Sequence, residues 1–248
     1  MNPSVAVVTG GTRGIGLGIA ACLVKRGYHV AVTYGGNDRA AAEAGEELTN
    51  LAESDGRVLI LKGDAGDADC VQEHYRRIRE ELGPASVLVN NAGIMPKNSF
   101  EDLSVKDWDE TIRINLSGAF YWSSQVVPDM KTAGFGRIVN ISSLAARGGG
   151  VVGPHYAASK AGLLGLTRYA ARDLGPSGIT VNAIAPAFIE DAGIFTQWSP
   201  EQLYTLRRQV VVPRIGTVTD VVRAFEYLMD SPFVTGVALD VNGGVFMI

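Results

Sequence analysis

Short apolar runs alternate with longer helical segments along the whole chain, and no other feature of the sequence restricts the fold as strongly. Seven runs rich in β-branched residues predict strands, at residues 5–9, 29–34, 57–62, 87–91, 137–141, 179–184 and 237–241. Helical spacing marks the segments between them, at 16–26, 39–53, 67–82, 105–131, 154–174 and 219–229. Most strands are almost continuously apolar, as they are when helices cover both faces of a parallel sheet. We therefore predict an α/β, doubly wound Rossmann fold with a seven-stranded parallel sheet.

The domain organisation follows from length and from the absence of low-complexity sequence. A chain of 248 residues can form one domain around a single core, so we interpret 1–248 as a single domain. Residues 187–213 are the one long stretch without strand character. A segment of that length in a compact domain often covers a site, so we expect a substrate lid at about 187–213, with an ordinary surface connection as the alternative.

Charge and composition argue against several classes of function. The net charge of −4 is unfavourable for binding nucleic acid. No apolar run reaches the roughly 18 residues that span a bilayer, and the N-terminus lacks the basic region of a secretory signal. We expect a cytoplasmic protein with no membrane or nucleic-acid partner. Cys22 and Cys70 are far apart, and the three histidines lack ligand spacing, so no metal site is predicted.

A glycine-rich turn joins the first predicted strand to the first predicted helix. Glycine lets the backbone turn sharply and approach a pyrophosphate closely. The N-terminus of the following helix then offers unpaired N–H groups to the negative charge. We expect this turn to bind the phosphates of a dinucleotide, with contacts from Gly10, Thr12, Arg13, Gly14, Ile15 and Gly16.

The end of the second predicted strand bears on which dinucleotide is bound. The sequence there, Thr33-Tyr34-Gly35-Gly36-Asn37, has no carboxylate to hold a ribose 2′-hydroxyl. Arg13 can reach a 2′-phosphate with its planar guanidinium, so we predict NADP(H), with Tyr34 among the contacts. Asp38 is the counter-argument, because it lies near the separation at which a carboxylate binds the 2′-hydroxyl. We expect it instead to cap the helix that begins at Arg39.

Two further motifs complete a recognisable set. Asn90-Asn91-Ala92-Gly93 follows the fourth predicted strand, and Tyr156-Ala157-Ala158-Ser159-Lys160 follows the fifth. With the Gly-x-x-x-Gly-x-Gly turn before them, the chain resembles classical short-chain dehydrogenases/reductases over nearly its whole length, and most closely their 3-oxoacyl-(acyl-carrier-protein) reductase branch of fatty acid biosynthesis. The resemblance implies NADPH-dependent reduction of a ketone, a 3-oxoacyl thioester, to a secondary alcohol. It also implies further cofactor contacts at Asp64, Ala65, Asn91, Ala92, Gly93, Tyr156, Lys160, Pro186 and Ile189.

Tyr156 and Lys160 are four residues apart in a helical pattern, so their side chains project from one face. A nearby ammonium favours the phenolate and lowers the pKa of a tyrosine from about 10. The resemblance implies that Tyr156 is the acid/base and that Lys160 lowers its pKa. It further implies that Ser143 polarises the carbonyl and that Asn115 holds a water linking Lys160 to solvent.

Neighbouring residues have other interpretations. We expect Ser142 to be a turn hydroxyl, and His155 to be structural or to line the entrance, because it points to a different helix face from Tyr156. The chain also departs from the family at two positions near the cofactor. Ala187 stands where the family more often has glycine, and its methyl could alter the backbone there. Asp191 stands where threonine is frequent, and its carboxylate would repel pyrophosphate unless it turns away.

The partners implied by the resemblance are a small carbonyl compound or acyl thioester and a homotetramer, in which the segments 105–131 and 154–174 pair between subunits. Gly162 and Gly165 would allow close packing there, and packing within the chain is the alternative. Related enzymes often carry arginines that dock an acyl carrier protein where this chain has Gly134 and Ser177. An acyl carrier protein is thus one candidate carrier; a coenzyme A thioester and a free ketone are the others.

Three rival functions remain open from the sequence. One is a non-catalytic NADP-binding sensor, which the Asn115, Ser143, Tyr156 and Lys160 set disfavours. Another is an NAD(P)-dependent alcohol or sugar dehydrogenase of the same family. The third is a nucleotide-sugar epimerase or dehydratase, which usually carries a larger C-terminal substrate region than this chain has after its seventh predicted strand.

Overall fold

A parallel sheet of seven strands organises the computed structural model, which describes residues 4–53, 55–193 and 199–247. The strands are β1 (Val5–Thr9), β2 (His29–Tyr34), β3 (Val58–Lys62), β4 (Ala85–Asn90), β5 (Gly136–Ile141), β6 (Ile179–Pro186) and β7 (Ala238–Val241). Their order across the sheet is β3-β2-β1-β4-β5-β6-β7, and every neighbouring pair is parallel. The order reverses between β1 and β4, and ligands of such sheets bind beyond the carboxyl ends of the strands at that point.

Helices cover both faces of the sheet, as predicted. They are α1 (Gly14–Lys25), α2 (Asp38–Leu51), α3 (Ala68–Glu81), α4 (Val105–Ile112), α5 (Gly118–Ala133), α6 (Ala145–Gly148), α7 (Pro154–Leu174), α8 (Pro200–Arg207) and α9 (Val218–Asp230). Side chains of α1, α2 and α9 share one apolar core with the sheet, and those of α3, α5 and α7 share the other. Successive residues of β1 feed the two cores in turn, Ala6 and Val8 on one side and Val5 and Val7 on the other. The doubly wound α/β prediction is confirmed.

The predicted helix 105–131 is interrupted, and in this respect the sequence interpretation was wrong. A π-helical turn, Arg113–Ser117, separates α4 from α5. It widens the helix where Gly118 approaches the loop after β3 so closely that an added Cβ would lie 2.5 Å from the Ala65 carbonyl oxygen. A π turn of this kind is frequent at functional sites, and this one contains Asn115.

The segment at 187–213 contains a helix that the sequence analysis did not anticipate. The Ser199 hydroxyl accepts from the Gln202 N–H, and the Gln202 side-chain oxygen accepts from the Ser199 N–H. These two hydrogen bonds form a capping box at the start of α8. Before it, Ile189 forms an isolated parallel bridge with Gly216. Residues 194–198, including Trp198, lie outside the described residues, so the lid remains a prediction.

Two sequence expectations on composition can be compared with the structure. Within the described ranges, no helix combines the length and apolar character that crossing a bilayer requires. Cys22 and Cys70 are both free thiols, and Cys22 is buried. Among the described residues, no group of three or more potential ligands is arranged to hold a metal ion.

Candidate active site

The turn after β1 is tied to the loop after β4 by the side chains of Thr9 and Asn91. The Thr9 hydroxyl accepts from the N–H groups of Asn91 and Ala92, both at 3.0 Å, and donates to the Val89 carbonyl. The Asn91 amide donates back to the Thr9 and Gly10 carbonyls at 3.0 and 2.9 Å. Asn91 therefore holds the glycine-rich turn in shape. The sequence analysis did not identify Thr9, although its place directly before the glycines was the available signal.

The glycine-rich turn has the backbone that a phosphate site requires. Gly10 and Gly14 adopt left-handed φ values of 63° and 52°. An added Cβ at Gly16 would lie 2.5 Å from both the Asn91 Nδ2 and the Gly10 carbonyl oxygen. In the part of the chain that the structure describes, no side chain caps the N-terminus of α1 and no acidic residue lies in its first turn. Its N–H groups thus fit the pyrophosphate of a dinucleotide.

At the end of β2, three side chains join in a cluster that the sequence did not reveal. Tyr34 donates to the Asp38 carboxylate at 3.0 Å, and Lys62 forms an ion pair with the same carboxylate at 2.8 Å. Lys62 arrives there because it is the register partner of Tyr34 on β3. The expectation that Asp38 caps α2 was wrong: the Asn37 side chain accepts from the Ala40 N–H and is the cap, and α2 begins at Asp38. Asp38 is already bound by two donors, so it is not a free carboxylate for a 2′-hydroxyl.

Asp64 lies after β3 in a tight turn and an ion pair. Its carboxylate accepts from the Gly66 N–H at 2.8 Å and pairs with Arg113 of the π turn at 2.8 Å. Burial raises the pKa of Asp64, but the bonds from Arg113 and from the Gly66 N–H lower it, so the pKa lies below its ordinary value. Within the chain Asp64 is thus a turn residue paired with Arg113, and the cofactor contact that the resemblance implies for it remains a prediction.

Asn115 is buried, and its amide is fully engaged with the backbone of the loop after β4. Its Oδ1 accepts from the Ile94 N–H at 2.8 Å, and its Nδ2 donates to the Ile94 carbonyl at 2.9 Å and to the Ser159 hydroxyl at 3.2 Å. An added Cβ at Gly93 would lie 3.1 Å from Asn115 Oδ1 and 3.6 Å from Lys160 Nζ. A side chain at position 93 would therefore crowd Asn115.

Lys160 extends into the protein from α7. Its Nζ donates to the Ile141 carbonyl at 2.8 Å and lies 5.7 Å from the centre of the Tyr156 ring. None of the ion pairs found among the described residues involves Lys160, and burial lowers its pKa to about 8. Its amine therefore has a lowered pKa and lies beside an aromatic ring.

Tyr156 is buried in a small apolar cluster with Ala145 and Val152, against which Met95 packs. Burial raises the pKa of Tyr156 above its ordinary value, and the hydrogen bond with the Ser143 side chain lowers it by less. In the chain by itself Lys160 is not among the causes of this shift, so the lowering by Lys160 that the resemblance implies remains a prediction. The pocket removes both groups from water, and this disfavours the charged form of each.

The two adjacent serines after β5 have different partners. The Ser142 hydroxyl donates to the Lys160 carbonyl at 2.8 Å and is buried, so it fixes α7 to the strand end. The Ser143 hydroxyl accepts from the Ala145 N–H at 3.1 Å and reaches Tyr156. His155 is fully buried, and within the described ranges neither of its ring nitrogens has a hydrogen-bond partner. It therefore does not line an entrance.

Ala187 and Asp191, the two residues that depart from the family pattern, both fit the structure without strain or repulsion. Ala187 has ordinary backbone angles, because no described residue other than glycine has a positive φ, and its N–H donates to Val241. Asp191 turns toward α9, where its carboxylate accepts from the Val218 N–H at 2.8 Å. Its charge thus stabilises the N-terminus of that helix.

The remaining predicted cofactor residues surround the same carboxyl edge of the sheet. Pro186 ends β6 and accepts from the Leu144 N–H, and the Ile189 side chain is buried in the apolar core. Thr12 is buried and Ile15 packs partly against the core, whereas Arg13 is exposed. The structure therefore brings Asn115, Ser143, Tyr156 and Lys160 together, beside a turn that fits a dinucleotide.

Comparison with known proteins gives matches over most or all of the chain. The family model described as short chain dehydrogenase matches residues 4–203. The acetoacetyl-CoA reductase of Rhizobium meliloti (strain 1021) is 37% identical over 246 residues, 98% of each chain. A 3-oxoacyl-(acyl-carrier-protein) reductase of Staphylococcus epidermidis is 36% identical over 250 residues, 100% of each. The crystal structure of 3-oxoacyl-(acyl-carrier protein) reductase from Brucella melitensis ATCC 23457 superposes with a TM-score of 0.90 at 32% identity. The match covers 99% of this chain and 92% of the Brucella chain.

Proposed function

Because the chain belongs to the short-chain dehydrogenase family, we propose that it reduces the ketone of a 3-oxoacyl thioester to a secondary alcohol, with NADPH as the electron donor. It is an oxidoreductase similar over its full length to reductases of such thioesters. The observation that carries the proposal is the buried Lys160 amine 5.7 Å from the Tyr156 ring, with the Ser143 hydroxyl bonded to that tyrosine.

Tyr156 is the proton donor in the proposed reaction. NADPH, held by the glycine-rich turn, would supply the hydride for the carbonyl carbon. Ser143 and Tyr156 donate hydrogen bonds to the carbonyl oxygen, which gains negative charge as that bond forms. The Tyr156 hydroxyl then transfers its proton to this oxygen, and the alcohol leaves with both hydrogens. The raised pKa of Tyr156 keeps the phenol protonated and ready to donate.

Lys160 returns the proton in the proposed reaction. An amine with a pKa of about 8 carries a proton for part of the time at neutral pH and gives it up easily, so Lys160 can restore the phenol. Asn115, whose Oδ1 lies near Gly93 as does Lys160 Nζ, would hold the water that links the amine to solvent. Lys160 also holds the ribose beside the nicotinamide in this proposal.

NADPH is preferred over NADH in this proposal because of the charges around the end of β2. Arg13 is exposed at the glycine-rich turn, and the Lys62 ammonium lies beside Tyr34. The Asp38 carboxylate there is neutralised by its ion pair with Lys62. The cluster can therefore accept a 2′-phosphate, whereas an unpaired Asp38 would repel it.

The charge at Gly134 and Ser177, where related enzymes often carry arginines, bears on which carrier holds the acyl group. Neither position is basic, and Lys131 and Arg172 are exposed nearby. We take a coenzyme A thioester as the first substrate to assay. The test compares acetoacetyl-CoA, an acetoacetyl carrier protein and simple ketones as substrates for NADPH oxidation. A kcat/KM for the thioesters no greater than that for simple ketones would contradict the thioester proposal, and no oxidation with any carbonyl would favour the sensor.

We also propose that the chain forms a homotetramer through α5 and α7. Phe120 and Tyr169 are large apolar side chains exposed on these helices. Among the described residues nothing lies within 4 Å of an added Cβ at Gly165, whereas Gly162 packs on Leu116 within the chain. Gly165 thus leaves room for a second copy of the chain. The close packing at Gly162 is instead within the chain. Light scattering that finds only monomer would contradict this proposal.

A further inference from the structure

The short helix α6 lies in sequence between Ser143 and Tyr156, whose hydroxyl groups are hydrogen-bonded to each other. Ser143 precedes it and accepts from its first N–H, that of Ala145, while the Leu144 N–H donates to Pro186 at 2.8 Å. Ala145 itself packs on Tyr156. A helix of four residues is not stable by itself in water. The positions of Ser143 and Ala145 therefore depend on what holds α6 to the rest of the protein.

A buried ion pair at the end of α6 supplies that connection. The Arg147 Nε donates to the Asp240 carboxylate of β7 at 2.9 Å, and its Nη2 donates to the Ala238 carbonyl at 3.3 Å. The two side chains are 12% and 17% exposed, which makes this the most buried ion pair in the part of the chain that the structure describes. The guanidinium thus reaches past β6 to the edge strand of the sheet.

We propose that Arg147 is a positioning residue for the reaction: its ion pair with Asp240 fixes α6 to β7 and so holds the Ser143 hydroxyl against Tyr156. The inference rests on the proposed function, because it assigns Arg147 a part in that reaction. Arg147 does not itself reach the reacting atoms. It acts through the four-residue helix that joins its guanidinium to Ser143.

The chemistry of the contact requires arginine in particular. One planar guanidinium binds both the carboxylate of Asp240 and the carbonyl of Ala238, and so sets the direction of the side chain as well as its distance. A lysine would preserve the charge but lose this second contact. We therefore expect Arg147→Lys to restore only part of what Arg147→Met removes.

The first experiment measures kcat and the KM for NADPH in Arg147→Met, Asp240→Asn and the double variant. Misplacing Ser143 by about 1 Å should lower kcat by about tenfold to a hundredfold. The KM for NADPH should stay within about twofold, because the glycine-rich turn is unchanged. If the two residues act as one unit, the double variant should be no slower than the slower single variant. A kcat near that of the unaltered chain in both single variants would overturn the inference, as would losses that multiply.

Arg79→Met is the matched control. Arg79 and Asp129 also form an ion pair at 2.9 Å between two elements, and Asp129 is as buried as Asp240, at 17%, although Arg79 itself is 55% exposed. This pair joins α3 to α5 away from α6. Arg79→Met should therefore leave kcat unchanged and lower the melting temperature by less than Arg147→Met does. If Arg147→Met and Arg79→Met gave the same ratio of lost stability to lost kcat, Arg147 would be merely structural.

A second measurement does not depend on turnover. Tyrosine labelled with ¹³C at Cζ reports the titration of Tyr156 by NMR, with its signal assigned from Tyr156→Phe. The bond with Ser143 lowers the pKa of Tyr156, so losing that bond in Arg147→Met should raise it. An unchanged titration would overturn the inference even if the unaltered chain reduced no carbonyl. A raised pKa with no turnover in the unaltered chain would instead contradict the proposed function alone.

Discussion

The Lys160 Nζ lies 5.7 Å from the centre of the Tyr156 ring, and its hydrogen bond at 2.8 Å goes to the Ile141 carbonyl. The amine is therefore held beside the phenol by the end of β5. Both side chains are buried, and burial moves the pKa of the phenol up and that of the amine down. The two pKa values are therefore pushed apart, and pairs of titratable groups with pKa values separated in this way mark acid and base roles.

Removing the Tyr156 hydroxyl should abolish turnover while cofactor still binds. We expect Tyr156→Phe to lower kcat by about a thousandfold or more, because the proton donor and one oxyanion bond are both lost. The Kd for NADPH, measured by fluorescence titration, should change little. Turnover within about tenfold of the unaltered chain would reject the assignment of Tyr156. Tyr227→Phe, at an exposed tyrosine on α9, is the control for the substitution itself.

The buried amine of Lys160 should make stability depend on pH. Its pKa in the folded chain is about 8, below its unfolded value, so the unfolded state binds more protons at intermediate pH. The contribution of Lys160 to the free energy of unfolding should consequently rise as the pH is raised from about 8 toward about 10.5. Urea denaturation of Lys160→Met should lack this rise. A variant that keeps the same dependence on pH in this range would show that another group causes it.

The cluster at the end of β2 should set the choice between NADPH and NADH. Lys62→Met removes a cation and leaves Asp38 unpaired, so the ratio of kcat/KM for NADPH to that for NADH should fall by about tenfold or more. Asp38→Asn should raise the same ratio.

The binding of 2′,5′-ADP, measured by calorimetry, should weaken in Lys62→Met and so test the cluster without turnover. Arg39→Met is the control, because Arg39 forms an exposed ion pair with Glu43 on the same helix. An unchanged ratio in Lys62→Met would remove Lys62 from cofactor selection.

The adjacent serines Ser142 and Ser143 should lose different properties on substitution by alanine. Ser143→Ala should lower kcat by about a hundredfold, since it removes a donor to the developing oxyanion. Ser142→Ala leaves the Lys160 carbonyl without its bond from this hydroxyl, and should cost about 1 to 3 kcal/mol of stability. Kinetics and thermal denaturation of the two variants separate these effects. The roles would be reversed if Ser142→Ala were the slower enzyme at full stability.

Much of the fold follows from local pattern, because a parallel strand covered on both faces is apolar wherever it runs. All seven predicted strands occur, and the ends of α7 agree with the prediction. The interruption of 105–131 was not predicted, because Asn115 and Gly118 satisfy contacts with loops distant in sequence. Helical periodicity does not report such contacts.

The candidate catalytic residues could be proposed from spacing and resemblance, whereas their supporting contacts could not. Lys62 meets Asp38 because β3 pairs with β2 in one particular register. Thr9 meets Asn91, and Arg147 meets Asp240, across even longer stretches of chain. At α2 the predicted N-cap was Asp38 and the observed N-cap is Asn37. This shift of one residue lies within the usual uncertainty of helix ends.

The π turn at Arg113–Ser117 also restricts how the chain can change in length. A π turn contains one more residue than the α-helical turn it replaces, and each residue of an α-helix rotates the next by about 100°. Deleting one residue there would make α4 and α5 a continuous helix, but Asn115 and the buried Trp122 could not then both keep their directions. A shortened chain would keep either the amide at Ile94 or the packing of α5 on the sheet. The surplus residue is thus what lets one helical stretch place an amide at a distant loop and an indole in the hydrophobic core.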